Sequence, residues 1–241
     1  MNSMETALLA SAGIAGGFCN AIAGGGTFFT LPALLLAGLP PVVAGATSAV
    51  AIWPGHAVAL ASYGRVGGGG TLSGNLVTIG GAVAGAGLLI LAGDEIFRAL
   101  VPWLILAATL LFVAAPRVRA VVAKRSGAFR AWRLGDFTVA VYGGYFGAGL
   151  GILLLALLTA QGTRDLRDAN AAKNVRATLI SSVAVAIFIA TGNVAWREGA
   201  VVLAGAIAGG YLGGRLTRLV SADLLRLGVV VVGVALFVAY L

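Results

Sequence analysis

No side chain between Leu72 and Leu91 is charged, none is between Gly199 and Gly214, and Ile96 to Ala115 contains only Arg98. At about 1.5 Å per helical residue, such runs approach or cross a hydrocarbon layer about 30 Å thick. Lipid offers no partner to a backbone N–H or C=O, so each segment must satisfy its own, and helices are the solution. The alternating pattern of a membrane barrel is absent. With 60% hydrophobic and 10% charged residues over 241 positions and a mean hydropathy of +1.02, the chain reads as an all-α polytopic protein in a lipid bilayer. The N-terminal MNSMETALLASAG has no basic residue ahead of its apolar run and is predicted to be a structural helix, not a cleaved signal. The net charge of +8 would suggest nucleic acid in a soluble protein. Here the basic residues lie between apolar runs, as cytoplasmic loops do, and no nucleic-acid partner is expected.

The chain is duplicated. GAVAGAG at Gly81 recurs as GAIAGGY at Gly205, and the same offset lays Gly25 on Gly149. With a few residues of slippage, GGFCNAIAGGG pairs with GGYFGAGLG, Gly143 to Gly151. The predicted organisation is a first transmembrane repeat over 1–115, a basic cytoplasmic linker over 116–133 and a second transmembrane repeat over 134–241. Whether 5–38 and 134–160 dip in and return, or cross, decides the topology. If they return, all of the 16 Lys and Arg except Arg98 and Arg197 face the cytoplasm. Each half is then a glycine-broken re-entrant helix hairpin plus three transmembrane helices, the halves are inverted, and both termini lie outside. The alternative is eight simple spans.

The glycines mark where those hairpins break. Thr27 to Gly38 and Gly151 to Gln161 are each long enough for about 17 Å of helix, which reaches the midplane only. A half-helix beginning at Gly24-Gly25-Gly26-Thr27 turns unpaired N–H groups and its positive dipole end toward the break, glycine admits an anion to that backbone, and Thr27 adds a hydroxyl. Gly147, Gly149 and Gly151 would do the same from the opposite face, with Asn20 bonding the anion or the broken backbone. Gly81/Gly85 and Gly205/Gly209, at helical spacing inside unbroken runs, read instead as close helix packing; such Gly-xxx-Gly faces also permit a homodimer.

These residues resemble the sulfite exporter TauE/SafE family. The resemblance rests on GFCNAIAGGGTFFTLPALLLAGLPP, Gly17 to Pro41, then GATSAV at Gly45, and in the second half on GGYFGAGLG and on ATL after NAAKN. It implies a transporter in the bacterial inner membrane, usually an exporter, of small sulfur-containing or organic anions such as sulfite and sulfonates. The pattern departs at Ser48-Ala49, where family members often carry Asn-Lys; only the second half keeps the cation, as Lys173. An anion channel or a non-transporting anion sensor is the other function class.

Among the remaining polar residues, Asn170, Lys173, Asn174 and Ser181 share a helical face that would guide an anion from the cytoplasm; the same stretch also reads as a solvated helix start with Asp168 as N-cap and Lys173 snorkelling. His56 follows Trp53-Pro54-Gly55, a predicted kink, and is a candidate for gating or coupling beside Pro32 and Pro54. Every Asp and Glu falls near a predicted span end, so no buried acidic proton relay is visible. One histidine and one cysteine, Cys19, cannot fill a metal site, no catalytic constellation surrounds Ser181 or Ser182, and neither an enzyme nor a cofactor is expected.

Overall fold

The computed structural model describes residues 1–62, 72–124, 133–163, 165–216 and 222–240. Among the described residues there are nine α-helices and no strand: α1 (Ser3–Ala23), α2 (Thr27–Leu36), α3 (Pro41–Ser62), α4 (Leu72–Lys124), α5 (Arg133–Tyr145), α6 (Leu150–Ala160), α7 (Leu166–Ala190), α8 (Trp196–Leu216) and α9 (Ala222–Tyr240). The all-helical expectation holds. Leu72–Val118 and Asp168–Ala190 are long and apolar enough to cross a membrane, and α2 and α6 are shorter apolar helices.

Local chemistry accounts for the ends. Asn2 and Glu5 form a reciprocal capping box at the start of α1, which stops where Gly24 turns left-handed (φ 75°). The chain restarts at Thr27 with no side-chain cap. Likewise α6 follows Gly147 and Gly149, both at φ 74°, and has no side-chain cap. Helix α4 is two helices joined at Gly93 (φ 70°, ψ 178°), between the two apolar runs seen in the sequence. Asp94, just past that bend, accepts a hydrogen bond from the Val42 backbone N–H at 2.8 Å and so ties the bend to the start of α3. Asp165, not Asp168, caps α7: its carboxylate accepts from the Asp168 N–H at 3.1 Å, because the helix already begins at Leu166. The basic segment begins inside α4, which continues through Pro116 to Lys124; residues 125–132 of it lie outside the described residues.

Two helix pairs are held at backbone contact by glycine. Helix α8 lies on α1, where a Cβ at Gly209 would fall 1.9 Å from the Ile14 carbonyl oxygen and one at Gly17 2.1 Å from that of Ala206. The first arm of α4 lies on α5 in the same way, with a Cβ at Gly85 falling 2.1 Å from the Val141 oxygen and one at Gly81 2.6 Å from that of Phe137. These glycine faces are therefore occupied inside the chain. The core gathers Phe28, Leu31, Leu34, Phe97, Phe112 and Phe188 around the two glycine breaks. Leu88, Leu110, Ile207 and Val231 point outward, an apolar exterior suited to lipid.

Candidate anion site at the two glycine breaks

The breaks meet. A Cβ on Gly24 would lie 3.5 Å from the Gly151 Cα and 3.7 Å from its nitrogen, so the end of α1 touches the first turn of α6. Phe112, from the second arm of α4, lies against both breaks: its ring is 2.6 Å from where a Cβ on Gly25 would stand and 3.5 Å from that of Gly149. It also packs edge-on to Phe28 of α2, centroids 5.3 Å apart.

Each glycine of the first break has its own steric reason. Gly24 takes the left-handed turn, Gly25 has no room beside Phe112 and the Cys19 sulfur, and Gly26 has none beside the Gly16 carbonyl oxygen and Ile52. Asn20 is wedged between Gly26 and Gly55, its amide nitrogen 3.0 Å from where a Cβ on Gly55 would stand. At the second break the Tyr142 hydroxyl donates to the Ala148 carbonyl at 2.5 Å and satisfies backbone that the helix cannot.

A cavity of about 40 Å³ opens beside the second break. Its polar wall is Thr27 of α2, His56 of α3, Tyr145 and Gly147 at the break, and Ser181 of α7, while Leu31, Ile52, Phe97 and Phe188 are among its apolar residues. That volume takes a few waters or one small ion, since a water needs roughly 10–15 Å³ by the same measure. Behind it, α3 and α7 are cross-linked: the Trp53 indole N–H donates to the Ser182 hydroxyl at 2.8 Å, and the Thr178 hydroxyl donates to the His56 carbonyl at 3.1 Å.

A family model, Sulfite exporter TauE/SafE, matches residues 9–240. The chain belongs to the sulfite exporter TauE/SafE family. That places it in a family of membrane transporters, as the names of its relatives repeat. A "Probable membrane transporter protein" of Haemophilus influenzae is 31% identical over 93% of this chain and 90% of its own length. "Probable membrane transporter protein ORF9" of a Sinorhizobium species is 29% identical over 98% and 92%. "Probable membrane transporter protein YfcA" of Escherichia coli strain K12 is 29% identical over 90% and 82%. No solved structure matches the chain significantly.

In this TauE/SafE protein the residues singled out in the sequence fall into four groups. Gly25 and Gly149 stand against Phe112, Gly24 stands against Gly151, and Asn20 packs against Gly26. Thr27, Gly147, His56 and Ser181 face the cavity. Lys173 and Asn174 lie off the cavity wall, where the Lys173 ammonium donates to the Asn170 side chain at 3.3 Å and Asn174 is buried. Pro32 and Pro54 are both accommodated within helices, and the Tyr240 hydroxyl reaches the Pro32 carbonyl at 3.4 Å, tying α9 to α2.

One constellation is absent from the sequence reading. Asp136, in the first turn of α5 and only 8% exposed, accepts from Arg176 of α7 at 2.6 Å and from the Gln161 amide at 3.0 Å. Arg176 in turn donates to the Gln161 oxygen at 3.2 Å. Asp136 is near a helix end, as expected of every carboxylate here, yet it is buried. Tyr145 is the other omission, for it sits inside the quoted GGYFGAGLG motif as a large polar residue among glycines.

Proposed function

We propose that the chain is a multi-pass inner-membrane secondary transporter that exports a small anion: sulfite, a sulfonate or a related sulfur-containing or organic anion. The anion binds between the N-termini of α2 and α6, near the midplane. The observation that carries this reading is the contact of the two breaks at Gly24 and Gly151. Two uncapped helix starts, 10 and 11 residues long, begin beside that contact, and each presents N–H groups and the positive end of its dipole. Gly24, Gly25, Gly26 and Thr27 serve the site from one half and Gly147, Gly149 and Gly151 from the other. Asn20 supports the first break. Lys173 and Asn174 draw the anion from the cytoplasm, and Pro32, Pro54 and His56 gate or couple the movement.

Inverted repeats are part of this reading. In each half a helix, a glycine break and a short helix precede a long helix, α3 or α7. The first helix of each half docks through glycine on the fourth segment of the other, α1 on α8 and α5 on the first arm of α4. Short helices of about 15 Å turn back within the bilayer, leaving both termini outside and the basic segments inside. Cysteines introduced as Ser126→Cys and Thr163→Cys are expected to react with an impermeant maleimide only from the cytoplasmic side; the native Cys19 is buried. Labelling of Thr163→Cys from outside refutes the re-entrant hairpin.

Purified protein in liposomes tests the function. Labelled sulfite, sulfate, thiosulfate, a short sulfonate and acetate are offered in turn, and one of them is expected to enter saturably and with trans-stimulation. Gly25→Leu, which drives a side chain into Phe112, abolishes that uptake while the protein remains monodisperse in detergent. Full uptake by Gly25→Leu refutes the site. Current that scales with voltage without saturation identifies a channel, and binding without flux a sensor.

A further inference from the structure

The Tyr145 hydroxyl is sealed from solvent and has no hydrogen-bond partner among the described residues. It is the one such buried side-chain atom there. A phenol left in this state costs stability, of the order of a lost hydrogen bond, unless something outside the protein chain completes it. Its ring explains its position without explaining the hydroxyl: it stacks edge-on against Phe97, centroids 5.6 Å apart, and phenylalanine would do that equally well. Tyr145 and Phe97 both line the 40 Å³ cavity, and Thr27 and Ser181 bring two further hydroxyls to the same wall from α2 and α7.

We propose that the anion site extends into this cavity, where the Tyr145 hydroxyl donates to an oxygen of a small oxyanion while Thr27 and Ser181, with His56, complete the polar wall. The inference rests on the transport reading above and deepens it: Thr27 and Gly147, already assigned to the site between the breaks, also line the cavity, and Tyr145 and Ser181 are the contacts it adds. Three hydroxyls are suited to this task because each rotates to donate, so they follow an oxyanion as it sheds water, and none holds it with a fixed charge. His56 of α3 and, from the neighbouring break, Gly147 supply the remaining polar surface. A site of this kind passes its ligand on, since a neutral hydroxyl set binds an anion less tightly than a buried cation.

The test is anion-dependent thermal stabilisation of the purified protein in detergent, at constant ionic strength, with sulfite, sulfate, methanesulfonate and acetate as probes. Wild type is expected to be stabilised saturably by at least one of them. Tyr145→Phe keeps the ring and its stacking, raises the half-saturating concentration of that anion roughly ten-fold, and leaves the ligand-free melting temperature unchanged or higher. Ser181→Ala, on the facing helix, raises it roughly three-fold. Unchanged half-saturation in both variants, with saturable binding lost in Gly25→Leu, overturns the extension into the cavity and leaves the site between the breaks intact. A lower ligand-free melting temperature in Tyr145→Phe with unchanged affinity makes the hydroxyl structural and also overturns it. If none of the four anions stabilises wild type, both readings fail together.

Discussion

Asp136→Ala is expected to destabilise the folded protein by about 3–5 kcal/mol, the cost of leaving a buried charge without its partner. Arg176 is only 18% exposed at its side chain, and its guanidinium lies 2.6 Å from the Asp136 carboxylate. The variant would also strip the Gln161 amide of its acceptor, because Gln161 bonds both members of the pair. The two legs of the second hairpin, α5 and α6, would thereby lose their shared polar attachment to α7 and keep only the apolar one through Ala140, Leu150, Leu154, Ala177 and Ile180. Denaturant titration in mixed micelles reads this directly. The double variant Asp136→Leu with Arg176→Met should recover most of the loss, since a buried ion pair and an apolar pair of similar volume are often close in energy. A single-variant loss under about 0.5 kcal/mol would place the pair with ordinary surface ion pairs and remove the attachment. The device is one-sided. Counted by the spacing between Gly24 and Gly147, the counterparts of Asp136, Gln161 and Arg176 are Gly13, Gly38 and Trp53, so the first half has no ion pair there; α2 is tied to α3 instead by the buried Thr30–Ser48 hydroxyl pair at 2.6 Å.

The helices and the two breaks were legible because their causes are local. Uncharged runs give helices in an apolar solvent, and a glycine cluster flanked by short apolar pieces gives a break. The bend at Gly93 could be placed between the two runs that Asp94 and Glu95 separate, although nothing local announced that Asp94 would cap α3. The Asp136–Arg176 pair was not legible. Its partners are 40 positions apart and meet only after α5 and α6 fold back on α7. Each sits where a charge at a span end would ordinarily be solvated. The burial of the Tyr145 hydroxyl without a partner was hidden for a similar reason, since it depends on how the chain packs around the second break. The contiguous Gly24–Gly26 gave its position correctly but gave no hint that each residue has a separate steric need. The anion reading therefore draws its weight from the meeting of the two halves more than from the glycine count.

Gly209→Ala and Gly85→Ala are each expected to cost about 3 kcal/mol, at the upper end of overpacking effects, although alanine is the better helix former by about 1 kcal/mol. The added methyl at position 209 would lie 1.9 Å from the Ile14 carbonyl oxygen, and that at position 85 2.1 Å from the Val141 oxygen. Both obstacles are helix backbone, which no rotamer change can move aside, so α8 must leave α1 and the first arm of α4 must leave α5. In lipid that separation is costly because close packing and backbone contact hold helices together there, with little hydrophobic drive to compensate. Gly87→Ala is the control: a Cβ there meets nothing within 4 Å, and the variant should be neutral or slightly stabilising. Denaturant midpoints of the three variants decide the matter, and a Gly85→Ala no weaker than Gly87→Ala would show that the α4–α5 contact does not carry stability. The ratio of the two losses has a further use. On the proposed inverted-repeat reading, comparable costs at 85 and 209 are expected, with each hairpin seated on the other half by the same kind of contact. A large cost at one and none at the other would mean that a single seat bears the load, leaving the opposite hairpin free to shift while its partner stays fixed.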